Sequence, residues 1–226
     1  MIHRSALILG FLAALFAVLS PALGQTPPSP AEIAAYTGLH KAAQNGDAAE
    51  IARLIAAKAD PNGRDGAGRT PLHVATFARR HEAMRALVKG GADPRAQENR
   101  KYDTVTIAAV ADDLATMKVA LEIGGSARDI TSVYTGTALI AAAHLGHDEV
   151  VKELIRAGAP LDHVNNLNWT ALIEAVILGD GGPRHTECVR ALVAAGARRD
   201  LADRDGITPL EHARRRGYAE MVRLMQ

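Results

Sequence analysis

The chain has 226 residues, 48% of them apolar and 23% charged; that is enough apolar matter to bury a core in one or two domains, and it excludes a generally disordered chain. Its formal net charge is +1, and beyond Arg4, the one charge in the first 24 residues, 25 basic side chains stand against 25 acidic ones; so balanced a chain has no electrostatic grip on a phosphate backbone, and nucleic acid is not an expected partner. A single cysteine, Cys188, excludes an intrachain disulfide and a Cys-rich zinc module.

The first predicted element is an address. Residues 6–19 are an unbroken apolar run of 14 residues, short of the roughly 20 that a spanning helix needs. Pro21 breaks the run, and Ala22-Leu23-Gly24 supplies the small residues of a cleavage site. Residues 1–24 are expected to be a Sec-type signal peptide cut after Gly24, leaving no stable membrane anchor and placing the mature protein in the periplasm or outside the cell. Alanine-rich helices without disulfides suit the bacterial periplasm. Residues 25–30 carry three prolines and are expected as an extended tether.

A period of about 33 residues organises residues 31–226. Thr recurs at 37, 70, 104, 137, 170 and 208, at intervals of 33, 34, 33, 33 and 38. Around it stand Thr37-Gly38-Leu39-His40, Thr70-Pro71-Leu72-His73, Thr104-Val105-Thr106-Ile107, Thr137-Ala138-Leu139-Ile140, Thr170-Ala171-Leu172-Ile173 and Thr208-Pro209-Leu210-Glu211. Each Thr is expected to N-cap a short helix, with Pro71 and Pro209 at the first helical position. Gly46, Gly146, Gly179 and Gly217, nine residues after the Thr, end that helix; copies two and three have Arg79 and Asp113 there. A second helix follows, with capping boxes expected at Asp47/Glu50 and, on a first helix, at Thr208/Glu211. Leu54, Leu87, Leu121 and Leu154 mark its apolar stripe, and Gly-Ala pairs such as Gly91-Ala92 and Gly158-Ala159 close it. Asp65 to Gly68 and Asp203 to Gly206 then give turn chemistry for a hairpin, which copies three and four lack. Helices this short need stacked neighbours for stability.

On these motifs the chain resembles the ankyrin-repeat family over almost all of its mature length. The resemblance implies an all-α solenoid of about six helix-pair repeats with projecting hairpin fingers, binding another protein through its finger tips and the face of its first helices. It implies a scaffold or an inhibitor rather than an enzyme, and calls for no cofactor. Positions outside the repeat's own core are then partner-binding candidates: Phe77, Tyr134, His144, Leu167, Trp169 and Ile177. Trp, Tyr and Arg dominate interface hot spots.

Chemical motifs are sparse. His144 and His147 lie three apart, but a zinc site needs a third ligand and no metal is expected. Cys188 falls in the slot of Val150 and Met221, a core slot, and is expected to be an inert thiol. Copy five carries five extra residues. Asp180, Arg184 and His185 come together in that insertion, residues 180–185, and form the secondary candidate. With Glu174 they would be the basis of the alternative function, a hydrolase-like or small-ligand site. Arg198-Arg199, Arg204 and Arg214-Arg215-Arg216 crowd the C-terminal copies and are expected to form a solvated cap face.

Overall fold

The computed structural model describes residues 25–226; the apolar leader and its cleavage site lie outside the described residues. Thirteen helices and one isolated bridge, Thr131 to Gly136, make up the regular structure of the described residues. A short α1 (Pro30–Ala35) precedes six helix pairs: α2 (Gly38–Asn45) and α3 (Ala48–Ala56), α4 (Pro71–Phe77) and α5 (His81–Lys89), α6 (Thr104–Val110) and α7 (Leu114–Glu122), α8 (Ala138–Leu145) and α9 (Asp148–Arg156), α10 (Ala171–Ile177) and α11 (Pro183–Ala194), α12 (Pro209–Arg215) and α13 (Ala219–Met225). The even-numbered helices from α2 to α12 pack in chain order as one row. The odd-numbered helices from α3 to α13 pack as a second row behind them. The expected all-α solenoid of six helix pairs is present.

The caps correct the sequence register at one point. Thr70, Thr137, Thr170 and Thr208 accept from the amide three residues on, as expected, while Thr37 occupies the cap position without a side-chain bond. In copy three the cap is Asp103, whose Oδ1 accepts from Thr106 N at 2.7 Å; Thr104 is the first helical residue. The left-handed residue ending α6 moves with it, to Asp112 (φ 54°) instead of Asp113, which caps α7. With Asp103 as the marker, the fifth residue after every cap is an alanine, at 42, 75, 108, 142, 175 and 213, each at most 4% exposed. A methyl group there lets neighbouring first helices approach closely, which is how a core so poor in aromatics fills its space.

Other local expectations also change. Asp47 and Thr208 cap their helices, but the reciprocal halves of the boxes are absent, because Glu50 pairs with Arg53 and Glu211 with Arg215. Complete boxes occur at Ser29/Glu32 and Thr70/His73. Gly46 and Gly146 cap their helices in the left-handed region and Gly217 follows the Arg216 cap of α12 there, whereas α10 is capped by Leu178 in the right-handed region and the left-handed residue of the insertion is Gly181.

The fingers of copies three and four form without an Asp–Gly turn. Glu98 reaches back with its longer side chain to cap Arg100 N and Tyr102 N, the work done by Asp65, Asn165 and Asp203 elsewhere. Lys101 and Thr135 take positive φ in place of glycine, at a cost of about 1 kcal/mol or more each. Adjacent fingers are tied by backbone bonds, Asn99 N to Ala67 O (3.1 Å), Ser132 N to Lys101 O (2.9 Å) and Asn166 N to Tyr134 O (3.0 Å). The first helices and the fingers thus form one continuous face.

Candidate partner-binding face

At the centre of that face α6, α8 and α10 meet the fingers around a cavity of about 280 Å³. Val110, Ile140, Leu145 and Leu178 supply aliphatic lining, and Tyr102, Tyr134, Leu167 and Trp169 supply the finger side. Tyr134, Leu145, Leu167 and Leu178 remain 37–41% exposed, so large apolar side chains border this cavity while still meeting solvent.

One carboxylate is buried in this apolar lining. Glu174 is 4% exposed; its Oε1 accepts from Asn165 Nδ2 at 2.7 Å and its Oε2 faces His144 Nδ1 at 3.2 Å. The side-chain oxygen Oδ1 of the same Asn165 accepts from Leu167 N (2.9 Å) and Trp169 N (3.0 Å). One side chain therefore fixes both the finger that carries Trp169 and the buried acid. The equivalent residues Asp65, Glu98 and Asp203 are carboxylates, which have no proton to donate at neutral pH; the amide of Asn165 is what lets this finger sit beside Glu174.

A second cavity, of about 270 Å³, lies beside the ends of α4 and α6 and shares Val110 with the first. Residues 25–29 carry no regular structure and lie against it. Gln25 Nε2 donates to Ile107 O at 2.9 Å, Arg100 donates to Thr26 Oγ1 at 3.0 Å, and Pro28 is buried. The segment then runs into α1, which is anchored by an ion pair from Glu32 to the buried Arg69 and by Tyr36 Oη donating to Asp65 at 2.7 Å.

The sequence candidates divide accordingly. Tyr134, His144, Leu167 and Trp169 line the central cavity together. Phe77 lines the second cavity with Gln25 and Pro27. Ile177 is half-buried and lines neither; Leu178, the next residue and so about 100° further round the helix, holds the groove position. Two further lining residues, Tyr102 and Asn165, lie outside the sequence candidates. Tyr102 immediately precedes Asp103, as Trp169 precedes Thr170, so placing the cap at Asp103 would have found it.

The residues of the insertion make contacts that join the repeats. Pro183, Arg184 and His185 open α11 and are helical. His185 faces Asp180 Oδ1 and His144 O, each at 3.0 Å, and packs against Gly146 and Gly179. Arg184 turns to Asp112 (2.8 Å) and Asp148 (3.2 Å). These contacts brace copy five against copies three and four, and Glu174 belongs to the central cavity instead. His144 and His147 diverge, the latter bonding Ala109 O at 2.8 Å. Among the described residues no group of three or more His, Cys, Asp or Glu side chains is placed to hold a metal ion. Cys188 is fully buried and its thiol is pushed up to about 12, by burial first and Asp148 next, so little thiolate forms at neutral pH. Most of the C-terminal arginines have partners: Arg198 with Asp200, Arg199 with Met225 O, Arg204 with Asn166 O and Arg215 with Glu211. No helix of the described residues is long and apolar enough to cross a membrane.

Comparison with known proteins agrees with this architecture. The family model described as ankyrin repeats (3 copies) matches residues 12–98 and 105–193. The ankyrin repeat protein YahD of Escherichia coli (strain K12) is 32% identical over 185 residues, 81% of this chain and 92% of that protein. An ankyrin repeat domain from Acinetobacter baumannii AYE is 44% identical, with a TM-score of 0.77 over 83% of this chain and 95% of that one. The ankyrin repeat protein EF0377 is 28% identical, with a TM-score of 0.76 over 84% of this chain and 98% of that one.

Proposed function

The chain belongs to the ankyrin-repeat family, whose repeats mediate protein–protein interaction, and from that premise we propose that it is an exported module holding a partner protein on its central face, as a scaffold or as an inhibitor of that partner. The observation that carries this reading is the gathering of Tyr134, His144, Leu167 and Trp169 with Leu145 and Leu178 around one apolar cavity. An aromatic and aliphatic centre bordered by polar groups is the composition of an interface hot spot. The chain's own residues 25–28, which carry no regular structure, meet the neighbouring cavity through Gln25 and Pro27 and bond Ile107 O and Arg100, a local example of this face taking up irregular polypeptide.

Export rests on the leader. Cleavage after Gly24 would make Gln25 the first residue, and Gln25 is the residue whose side chain reaches Ile107 O. In a bacterium that expresses the chain with its leader, affinity capture from the periplasmic fraction tests both halves of the reading. The recovered protein should start at Gln25 by N-terminal sequencing, or be blocked there by cyclised glutamine. It should also bring down a protein that Trp169→Ala, melting normally, does not. Recovery of Met1-containing protein from the membrane fraction would overturn export. A partner retained equally by Trp169→Ala would overturn the site.

A further inference from the structure

We propose that the central cavity is built to receive one arginine side chain of the partner protein, with Glu174 as its counter-charge. The inference rests on the partner-binding reading above and adds the chemistry of what enters. Three observations carry it. First, the cavity is about 280 Å³, at the lower edge of the range for small-molecule sites and suited to a single long side chain. Second, its one buried acid is incompletely used. A carboxylate offers about four acceptor positions, and Glu174 spends one on Asn165 and one on His144. Third, Tyr102, Tyr134 and Trp169 all line it, half of the six aromatic residues Phe, Tyr or Trp between 25 and 226.

Those features select a cation with an apolar stem. Aliphatic walls from Val110, Ile140 and Leu178 favour methylene groups, aromatic faces favour a positive charge above them, and the acid supplies the charge-assisted bonds. A guanidinium meets all three better than an ammonium. It is planar, stacks on aromatic rings and is more weakly hydrated, so it loses less on leaving water. A neutral or anionic side chain would leave Glu174 buried beside a group that does not compensate it. The competing donor in reach is His144 Nδ1, 3.2 Å from the same carboxylate. Arg100, on the finger of Tyr102, is engaged with Thr26.

The protein carries its own reporter, since Trp169 is the only tryptophan of the sequence. The experiment titrates the purified protein with n-butylguanidinium, n-butylammonium and neutral n-butylurea at constant ionic strength, following Trp169 fluorescence, with circular dichroism to verify that the helices persist. Saturable binding of n-butylguanidinium is expected. n-Butylurea should bind at least about tenfold more weakly, the loss of one charge-assisted interaction. Glu174→Gln, which keeps an acceptor for Asn165, should abolish the preference. Equal binding of guanidinium and urea by the wild-type protein, a result that needs no variant, would overturn the inference. So would tighter binding of the ammonium, or an unchanged preference in a folded Glu174→Gln. Because no partner protein is in the cell, a cavity that ignores the cation while the captured partner still binds sinks this inference and leaves the partner-binding face standing.

Discussion

His73 shows how one residue serves both its own helix and its neighbour. Its Nδ1 accepts from Thr70 N at 3.1 Å, which leaves the proton on Nε2 to be donated to Tyr102 O, 3.2 Å away on the next finger. His40 makes the same reach to Arg69 O at 3.0 Å. Both bonds of the His73 ring are satisfied in the neutral form, and the ring is fully buried. Burial lowers its pKa from 6.5 to about 4. The unfolded chain therefore binds a proton that the folded one refuses between those values. The contribution of His73 to stability is full above pH 6.5 and is lost as the pH falls toward 4, by about 3 kcal/mol in all. Urea melts of the wild type and of His73→Gln at pH 7 and pH 4.5 check this. The variant should be less stable at pH 7 but lose less on acidification, and an identical pH dependence of the two proteins would contradict the assignment. The sequence made this histidine visible as part of Thr-Pro-Leu-His. It did not make Glu174 legible as a cavity acid, because a lone Glu in an apolar helix acquires its setting only from Asn165 and His144, 9 and 30 positions away in the chain.

At the scale of the element, a cap decides the register of a whole repeat. Two candidate caps stand side by side in copy three, Asp103 and Thr104, and both precede a plausible short helix. Counting from threonine alone selects the wrong one, because the spacing tolerates either: the longer interval is simply transferred to the finger bridged by Thr131 and Gly136. Hydrogen bonding breaks the tie, since both residues are 1% exposed. The Asp103 carboxylate accepts from Thr106 N in the first turn of α6, while Thr104 Oγ1 donates away from its own helix, to Pro94 O at 3.2 Å. Asp103→Ala should cost about 1–2 kcal/mol in a denaturant melt, the value of a lost N-cap. Thr104→Ala should cost less, and the reverse ranking would restore the threonine register. The same one-residue logic explains the exchange of Ile177 for Leu178. A helix turns about 100° per residue, so a face predicted from spacing is secure to within a neighbour, and the cap must be placed correctly to improve on that. The fingers of copies three and four were hidden for a different reason. Their turns rely on Glu98, Lys101 and Thr135, residue types that carry no turn signal of their own and are held in place by the fingers on either side.

For the molecule as a whole, the solenoid was legible and the site was legible in part. Repetition of cap, alanine and leucine positions along the chain specifies the stack, because each pair of short helices must bury its apolar face on the next. Tyr134, His144, Leu167 and Trp169 line one cavity, and the sequence marks them as large side chains, or a histidine, at positions that the repeat's own core does not use. Phe77, on α4, instead lines the second cavity together with Gln25 and Pro27, a long-range contact that no local pattern encodes. The central claim is that binding energy is concentrated at the cavity of α6, α8 and α10. The direct measurement is the affinity of the captured partner for three folded variants, Trp169→Ala, His185→Ala and Arg223→Ala, by isothermal titration. Trp169→Ala should lose about 2 kcal/mol or more, roughly thirtyfold in Kd. His185→Ala, whose ring braces copies four and five, and Arg223→Ala, paired with Glu220 on the last helix, should bind within about threefold of wild type. Loss of binding in His185→Ala alone would move the site to the insertion, and wild-type affinity in all three would contradict the account.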